Sequence, residues 1–294
     1  MTRHAQEPVR PFPVVLRARP DELLSSWLTR HAAYYRVTRR RLLDHVGILS
    51  PSVEALDREI TLGQQIMLAG YFRRQPFEIA AMSYETVRSN MRALIRPSAP
   101  QQSCQACAEK AERADAKGAI GKSWMQGWRF TCRVCGARLT DEDNPQMAQA
   151  SAERFSDYWG LALDGESLFE IYASAVTETG TSPLSIATLL CLPRWPAPEE
   201  LSDGYRISRL LNIVVSGFDD FAHRMGLSRA MSRGLFLPVS LRIPLLAGVA
   251  IATRDSKAIL SSLYDHALPR ARQRFTEVED ALHTIMVGQS QIDS

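Results

Sequence analysis

The interpretation of this chain depends on two cysteine pairs, Cys104-Gln105-Ala106-Cys107 and Cys132-Arg133-Val134-Cys135. Each pair has the spacing of a knuckle that presents two thiolates to one ion. Two knuckles complete a tetrahedral shell, and four thiolate ligands leave no position for a reactive water. The pattern therefore predicts one structural zinc ion that folds its surroundings, bound by Cys104, Cys107, Cys132 and Cys135.

The segment between the knuckles, 108–131, carries three large aromatic side chains. It is slightly longer than the roughly 15 to 20 residues usual in such sites, and its first half is polar enough to form a solvated excursion. Trp124, Trp128 and Phe130 lie near the second knuckle. Because a zinc ribbon has little core of its own, we expect these rings to cover the metal. The alternative is that they stack on bases or on a partner chain.

The stretch Ala116–Ser123, AKGAIGKS, fits a relaxed phosphate-loop pattern with alanine in place of the first glycine. A phosphate loop needs an apolar strand before it and a helix after it. The preceding residues are polar and helix-prone, so a P-loop NTPase is only a remote alternative. No other catalytic motif stands out, and we expect a protein that is not an enzyme.

Composition, charge and cysteine usage indicate the cellular compartment of the protein and the kinds of partner it could bind. The net charge is +3, but residues 1–100 hold 15 Arg, no Lys and 9 acidic residues, which is +6, so the remainder nets −3. Paired cysteines without a secretory signal favour a reducing compartment. The longest apolar stretch, Ile243 to Ala252, is too short to span a bilayer. We expect a cytoplasmic protein, nucleoid-associated in a bacterium, without a membrane partner.

The N-terminal third is predicted to be an extended Pro/Arg arm over 1–20 followed by helices. Asp21 is a plausible cap for a helix over ELLSSWLTRHAAYY, and Thr38 for a second helix that Gly47 stops. Longer helices are predicted over roughly 53–72 and 77–95, with Pro76 between them. After residue 145 the pattern returns to helices, and no alternation suggests a sheet beyond the ribbon.

Two segments are candidates for nucleic-acid contact. Residues 218–236 have the pattern of a helix-turn-helix, with Gly226 at the turn, although an ordinary helix pair has the same pattern. Ser228 would cap its second helix, and Arg229 and Arg233 would project outward to meet phosphate or guanine edges; all three are candidate nucleic-acid-binding residues. The N-terminal pair carries charge suited to phosphates, although three adjacent arginines cannot all face one groove and a solvated face is the alternative. These arginines are Arg36, Arg39, Arg40 and Arg41.

The order of these parts resembles the TniQ family of transposition target-selection proteins. The similarity covers residues 11–140 and rests on PDELLSSWLTRHAAYYRVTRRRLLDHVG with the knuckles that follow it. The positions that carry it best are Pro20, Glu22, Leu24, Ser26, Trp27 and Arg30. In that family the second knuckle often ends in His and the first often begins Cys-Pro, so this chain resembles a divergent member.

The resemblance implies a non-catalytic adaptor. It would bind DNA or a guide-RNA effector complex, recruit a transposition AAA+ ATPase and the transposase, and could form a homodimer. The alternative is a zinc-containing helix-turn-helix transcription regulator. The fold we predict is mainly α, with helix-turn-helix-like pairs and an inserted four-cysteine zinc ribbon. Its parts are an arm at 1–20, a helical unit at 21–100, the ribbon at 101–144 and a second helical unit at 145–294.

Overall fold

The computed structural model confirms a mainly helical protein with a four-cysteine cluster. It describes residues 10–95, 102–114, 116–141, 145–174, 182–195, 208–226 and 239–276. The chain divides into two compact units, one comprising Met1–Gln126 with Thr131–Leu139 and the other Gly127–Phe130 with Thr140–Ser294. This division differs from the expected separate ribbon at 101–144, because that segment is shared between the two units.

The first unit contains seven short α-helices, one 3-10 turn and strand β1 among its described residues. Their bounds are α1 Leu24–Tyr34, α2 Arg39–His45, α3 Ala55–Arg58, α4 Leu62–Phe72, α5 Pro76–Ala81, α6 Ser89–Arg92, β1 Gln102–Ser103, α7 Gln105–Arg113 and the 3-10 turn Lys122–Met125. Helices α1 to α5 enclose one core, whose central side chains, Trp27, Leu28 and Phe72, are fully buried.

Helix α1 begins later than the sequence suggested, and Asp21 is not its cap. The cap residue is Leu23, without a side-chain hydrogen bond. The amide of Ser25 in the first turn donates instead to the carboxyl of Asp57 at 2.8 Å. Asp21 lies in the left-handed region at φ 60° and is engaged elsewhere. A residue distant in sequence has therefore taken the capping role that local spacing assigned to Asp21.

The predicted second helix is confirmed in its bounds and its cap. The Thr38 side chain accepts a hydrogen bond from the amide of Arg41, and Gly47 ends the segment at φ 72°. The longer predicted helices at 53–72 and 77–95 are each broken. A capping box formed by Thr61 and Gln64 starts α4 anew after α3, which is the signature of a fresh helix N-terminus.

The described part of the arm, 10–20, contains no helix, and over residues 14–17 it is bound along one face of α1. Tyr35 bonds both the amide and the carbonyl of Val14, while His31 accepts from the amide of Leu16 at 2.9 Å. Trp27 donates to the carbonyl of Leu16, also at 2.9 Å. These side chains recur at the four-residue spacing of a helix face. They therefore supply hydrogen-bond partners to the backbone amides and carbonyls of an extended segment that belongs to no sheet.

The second unit is built around α13, which is buried almost all round. Its described elements are β2 Thr140–Asp141, α8 Pro145–Arg154, a 3-10 turn Ser156–Tyr158, α9 Trp159–Ser174, α10 Pro183–Leu190, α11 Leu211–Val214, α12 Phe218–Arg224, α13 Val239–Arg254 and α14 Ser256–His266. The apolar stretch noted in the sequence is the middle of α13, and it packs against α8, α9, α10 and α11. Within the described ranges, no helix combines the length and apolarity needed to cross a bilayer.

Candidate metal centre and nucleic-acid surfaces

The four predicted ligands lie together. Their sulfur atoms are all within 4.8 Å of one another. The Sγ atoms of Cys104 and Cys135 are 3.4 Å apart, and Cys107 Sγ lies 3.7 Å from both Cys132 Sγ and Cys135 Sγ. A tetrahedral ion with metal–sulfur bonds of about 2.3 Å requires sulfur separations of about 3.8 Å. The cluster therefore has the size and shape that a single tetrahedral ion needs.

The two knuckles have different local structures. Cys104 precedes α7 directly and Cys107 lies in its first turn, so the first knuckle is the start of a helix and not a ribbon turn. The second knuckle is a tight turn, in which the amide of Gly136 donates to the carbonyl of Cys132 and Gly136 adopts φ 71°. The amide of Cys132 donates in turn to the carbonyl of Ala137, at 2.8 Å. A helix start facing a hairpin turn thus brings the pairs together.

The pKa values of the cysteines differ across the cluster. Burial raises the pKa of Cys104 to about 11 and that of Cys107 further still. A hydrogen bond from the backbone of Ala137 lowers the pKa of the exposed Cys135 to about 7. Four thiolates at these separations repel one another, and a divalent cation is the charge that offsets them. These residues could therefore hold one metal ion.

A buried ion pair lies beside the cluster within the same unit. Arg30 donates to both carboxylate oxygens of Glu22, at 2.8 and 2.7 Å, and the two side chains are 9% and 0% exposed. The hydroxyl of Ser26 donates to the same carboxylate and accepts from the amide of Ile120. These side chains are among those that carry the family resemblance, and here they connect the start of α1 to the loop before Trp124.

Asp21 completes this connection. Its carboxylate accepts from the amide of Ser123 at 2.9 Å, and its carbonyl accepts from the amide of Lys122. The amide of Leu23 donates to the carbonyl of Ile120. The left-handed backbone at Asp21 is thereby held by contacts to residues about 100 positions away in sequence. No local pattern signals such contacts, so they could not be predicted from the sequence.

The phosphate-loop-like stretch is part of this structural connection. The ammonium group of Lys122 donates to the carbonyls of Ala81 and Ser83, at 2.7 and 3.0 Å, at the end of α5. The stretch follows helix α7 and ends within a single 3-10 turn, whereas a phosphate loop lies between a strand and an α-helix. This geometry gives the nucleotide-binding alternative no support.

All three aromatic residues between the knuckles are buried. Trp124 packs with Cys104, Cys132 and Leu139. Trp128 and Phe130 belong to the second unit, where the Trp128 indole donates to Glu170 at 2.8 Å. The prediction that the three rings form core is therefore confirmed, and for Trp124 the packing partners include two of the cysteines.

Arg129, between those two rings, is the centre of a second buried ion network. Its guanidinium donates to Glu166 at 2.9 Å and to Glu170 at 2.8 Å. The backbone of Phe130 donates to Glu166, and Arg242 of α13 donates to the carbonyl of Arg129. A short segment of the chain, Gly127–Phe130, is thus fixed among helices of the second unit by charged hydrogen bonds.

The four N-terminal arginines have unequal surroundings. All are exposed. Arg39 pairs with Glu54, and Arg40 pairs with Asp44 at 3.0 Å and donates to the carbonyl of Ser50. Arg36 and Arg41 have no ion pair within the described residues. Two of the four arginines predicted to contact phosphate are therefore not paired with a carboxylate within the described residues.

The other nucleic-acid candidate is only half described. Helix α12, Phe218–Arg224, covers its first part, with Phe221 and Ala222 buried and Gly226 at φ 67° as a turn requires. Ser228, Arg229 and Arg233 lie outside the described residues.

Comparison with models of protein families, with curated proteins and with solved structures finds no match for this chain.

Proposed function

We propose that this protein is a TniQ-like target-selection adaptor of DNA transposition that holds one structural zinc ion. The observation that carries the proposal is the contact network joining Glu22, Ser26 and Arg30 to the loop beside the cysteine cluster. Three side chains on which the resemblance rests are thus connected by hydrogen bonds to Ile120, which packs against the cysteine cluster. A resemblance in which the same residues act together is more informative than scattered identities.

Zinc is the metal that fits best on chemical grounds. A tetrahedral set of four sulfurs is typical of zinc or an iron–sulfur centre, and zinc brings no redox chemistry. With every position filled by protein ligands, the ion supplies folding free energy and no activated water. Cys104, Cys107, Cys132 and Cys135 would hold it.

As an adaptor, the protein acts through its surfaces. Its basic N-terminal helices would engage DNA or a guide nucleoprotein complex, and another face would bind the transposition ATPase and, through it, the transposase. A homodimer is compatible with this role. Residues 228–233 would extend the contact if the segment 218–236 is a helix-turn-helix.

The test uses the full chain with the ATPase encoded beside its gene. We expect the immobilised zinc-loaded protein to retain that purified ATPase, and to bind a random-sequence duplex only weakly. A neighbouring integrase-like transposase gene is expected as well. A protein that instead binds one operator duplex tightly by itself and retains no ATPase would be a transcription regulator, and the proposal would be wrong.

The enzyme alternative has its own control. We expect no hydrolysis of ATP or GTP above that of a Lys122→Ala variant. Hydrolysis that disappears in this variant would contradict a non-catalytic role.

A further inference from the structure

A cluster of aromatic rings surrounds Phe12, near the start of the described chain. The Phe12 ring centroid lies 5.2 Å from that of Tyr35, 5.5 Å from His45, 5.9 Å from Tyr71 and 4.8 Å from Phe72. Those rings come from the last residues of α1, α2 and α4 or from the residue after them. Three helix C-termini therefore converge on one side chain of the arm.

Exposed arginines flank this cluster along the chain. Arg10 precedes Phe12 by two residues, Arg36 follows Tyr35, and Arg73 follows Phe72; all three are exposed. None has an ion pair within the part of the chain that is described. Phe12 itself is buried. We use the name Phe12 face for the residues that pack on its ring or adjoin those residues in the chain, which are Arg10, Tyr34, Tyr35, Arg36, Tyr71 and Arg73.

The backbone at two of these arginines is unusual. Arg36 has φ 54° and Arg73 has φ 50°, both in the left-handed region that side chains other than glycine disfavour. Glycine is the usual residue where a helix ends in this conformation. Arg36 and Arg73 therefore each place a cation at the end of a helix, at a position where glycine is the more usual residue.

The charge balance of the face remains positive. Three helix C-termini contribute about −0.5 elementary charge each, and three arginines contribute +3. The nearest acidic residue of α2, Asp44, is already paired with Arg40. The arginines therefore exceed what the helix ends need, by roughly 1.5 charges.

The face also offers a ring to solvent. Tyr34 is 52% exposed and packs edge-on against Tyr35, with ring centroids 5.1 Å apart. Exposed aromatic rings among unpaired cations suit single-stranded nucleic acid, in which bases stack on the rings and phosphates meet the cations. A duplex, with its bases already stacked, would make no use of Tyr34.

We propose that the Phe12 face binds single-stranded nucleic acid, with Tyr34 stacking on a base and Arg10, Arg36 and Arg73 contacting phosphates. This deepens the proposed function and rests on it only for biological context. The binding itself needs no partner protein.

The test measures fluorescence anisotropy of a labelled 20-nucleotide oligo-dT with the full zinc-loaded chain, from 50 to 300 mM salt. We expect Tyr34→Ala to weaken binding at least about fivefold, since stacking of one base is worth that much or more. Tyr34→Phe keeps the ring and should bind like the unaltered protein.

The double variant Arg36→Gly and Arg73→Gly separates binding from folding. Glycine suits both backbone conformations, so the protein should melt no lower than the unaltered chain. The slope of log affinity against log salt should nevertheless become shallower by about 1.4, or about 0.7 for each lost phosphate contact. Arg113→Gln, an exposed arginine on α7, should leave the slope unchanged.

Oligo-dT affinity that is unaffected by Tyr34→Ala and by the glycine double variant would overturn the inference. So would a protein that binds a 20-base-pair duplex but not oligo-dT. Either result leaves the proposed function intact, because that is decided separately by retention of the ATPase.

Discussion

Glu22 and Arg30 form a two-point charged contact at the start of α1, with both carboxylate oxygens accepting from one guanidinium at 2.8 and 2.7 Å. The pair lies eight residues apart, and the buried carboxylate also accepts from Ser26. The same side chain receives the backbone amide of Arg19. Glu22 is thus the point at which the arm, α1 and the loop beside the cysteines meet.

Replacing one member of this pair should be costly. Glu22→Gln leaves Arg30 charged and without its carboxylate, so we expect the free energy of unfolding to fall by about 3 kcal/mol. Urea denaturation at constant zinc measures this. The control is Arg39→Gln, which breaks the exposed pair with Glu54 and should cost less than about 1 kcal/mol. Equal effects from the two substitutions would show that the buried pair has no special role.

Stability should depend on pH through two groups with opposite signs. Burial lowers the pKa of His31 to about 4, so its contribution is complete above pH 6.5 and is lost as the pH falls towards 4. Burial raises the pKa of Asp57 to about 7, so its contribution is complete below pH 3.8 and is lost as the pH rises towards 7. The shifts correspond to about 3 and about 4 kcal/mol, respectively.

Between about pH 4.5 and 6.5, His31 binds more protons in the unfolded state and Asp57 binds more in the folded state. The two contributions to the free energy of unfolding oppose each other, so the stability of the unaltered protein should be nearly constant over this window. Asp57→Asn should leave a stability that rises with pH, and His31→Gln one that falls with pH. Denaturant midpoints of the three proteins across this window provide the measurement. Slopes of the same sign in both variants would contradict these assignments.

Close packing of α9 on α13 depends on one glycine. A Cβ atom at Gly165 would overlap the carbonyl oxygen of Leu246. Gly165→Ala should therefore force the helices apart and destabilise the protein by about 3 kcal/mol. Gly160, in the same helix, has open space, and Gly160→Ala should be neutral or stabilise by about 0.5 kcal/mol. Thermal denaturation of the two variants distinguishes packing from helix propensity.

The spacing of the cysteines predicted the candidate site from a short-range pattern, and the structure brings all four together. The cap at Thr38 was predictable for the same reason, because a cap acts within one turn. The break before α4 was also signalled locally, by Thr61 and Gln64, but the apolar spacing on either side suggested one continuous helix. Local signals were sufficient where local contacts determine the structure.

Other features of the fold depend on contacts between residues far apart in the chain and could not be predicted from local sequence patterns. Asp21 is of a residue type that commonly caps helices, yet it accepts hydrogen bonds from the amides of Lys122 and Ser123. Asp57 caps α1 in its place. Trp128 and Phe130 belong to the second unit although they precede the second knuckle by only a few residues. Contacts between residues far apart in the chain decide these cases, and no periodicity in one sequence contains them.

Loss of the ligands should be specific to the cluster. Cys104→Ser should abolish stoichiometric metal binding, whereas Cys191→Ser, outside the cluster, should retain one metal ion per chain. Because Trp124 packs on Cys104 and Cys132, chelation should also change the near-ultraviolet circular dichroism, and a Trp124→Phe variant should show a smaller change. Metal analysis and spectroscopy of the purified variants test both points.

We propose above all that one zinc ion is bound by the four sulfur ligands Cys104, Cys107, Cys132 and Cys135. X-ray absorption at the zinc edge, on protein purified without added metal, tests it most directly. We predict one zinc per chain with four sulfur neighbours at about 2.3 Å. A spectrum dominated by nitrogen or oxygen neighbours, or a protein that folds without any bound metal, would contradict the account.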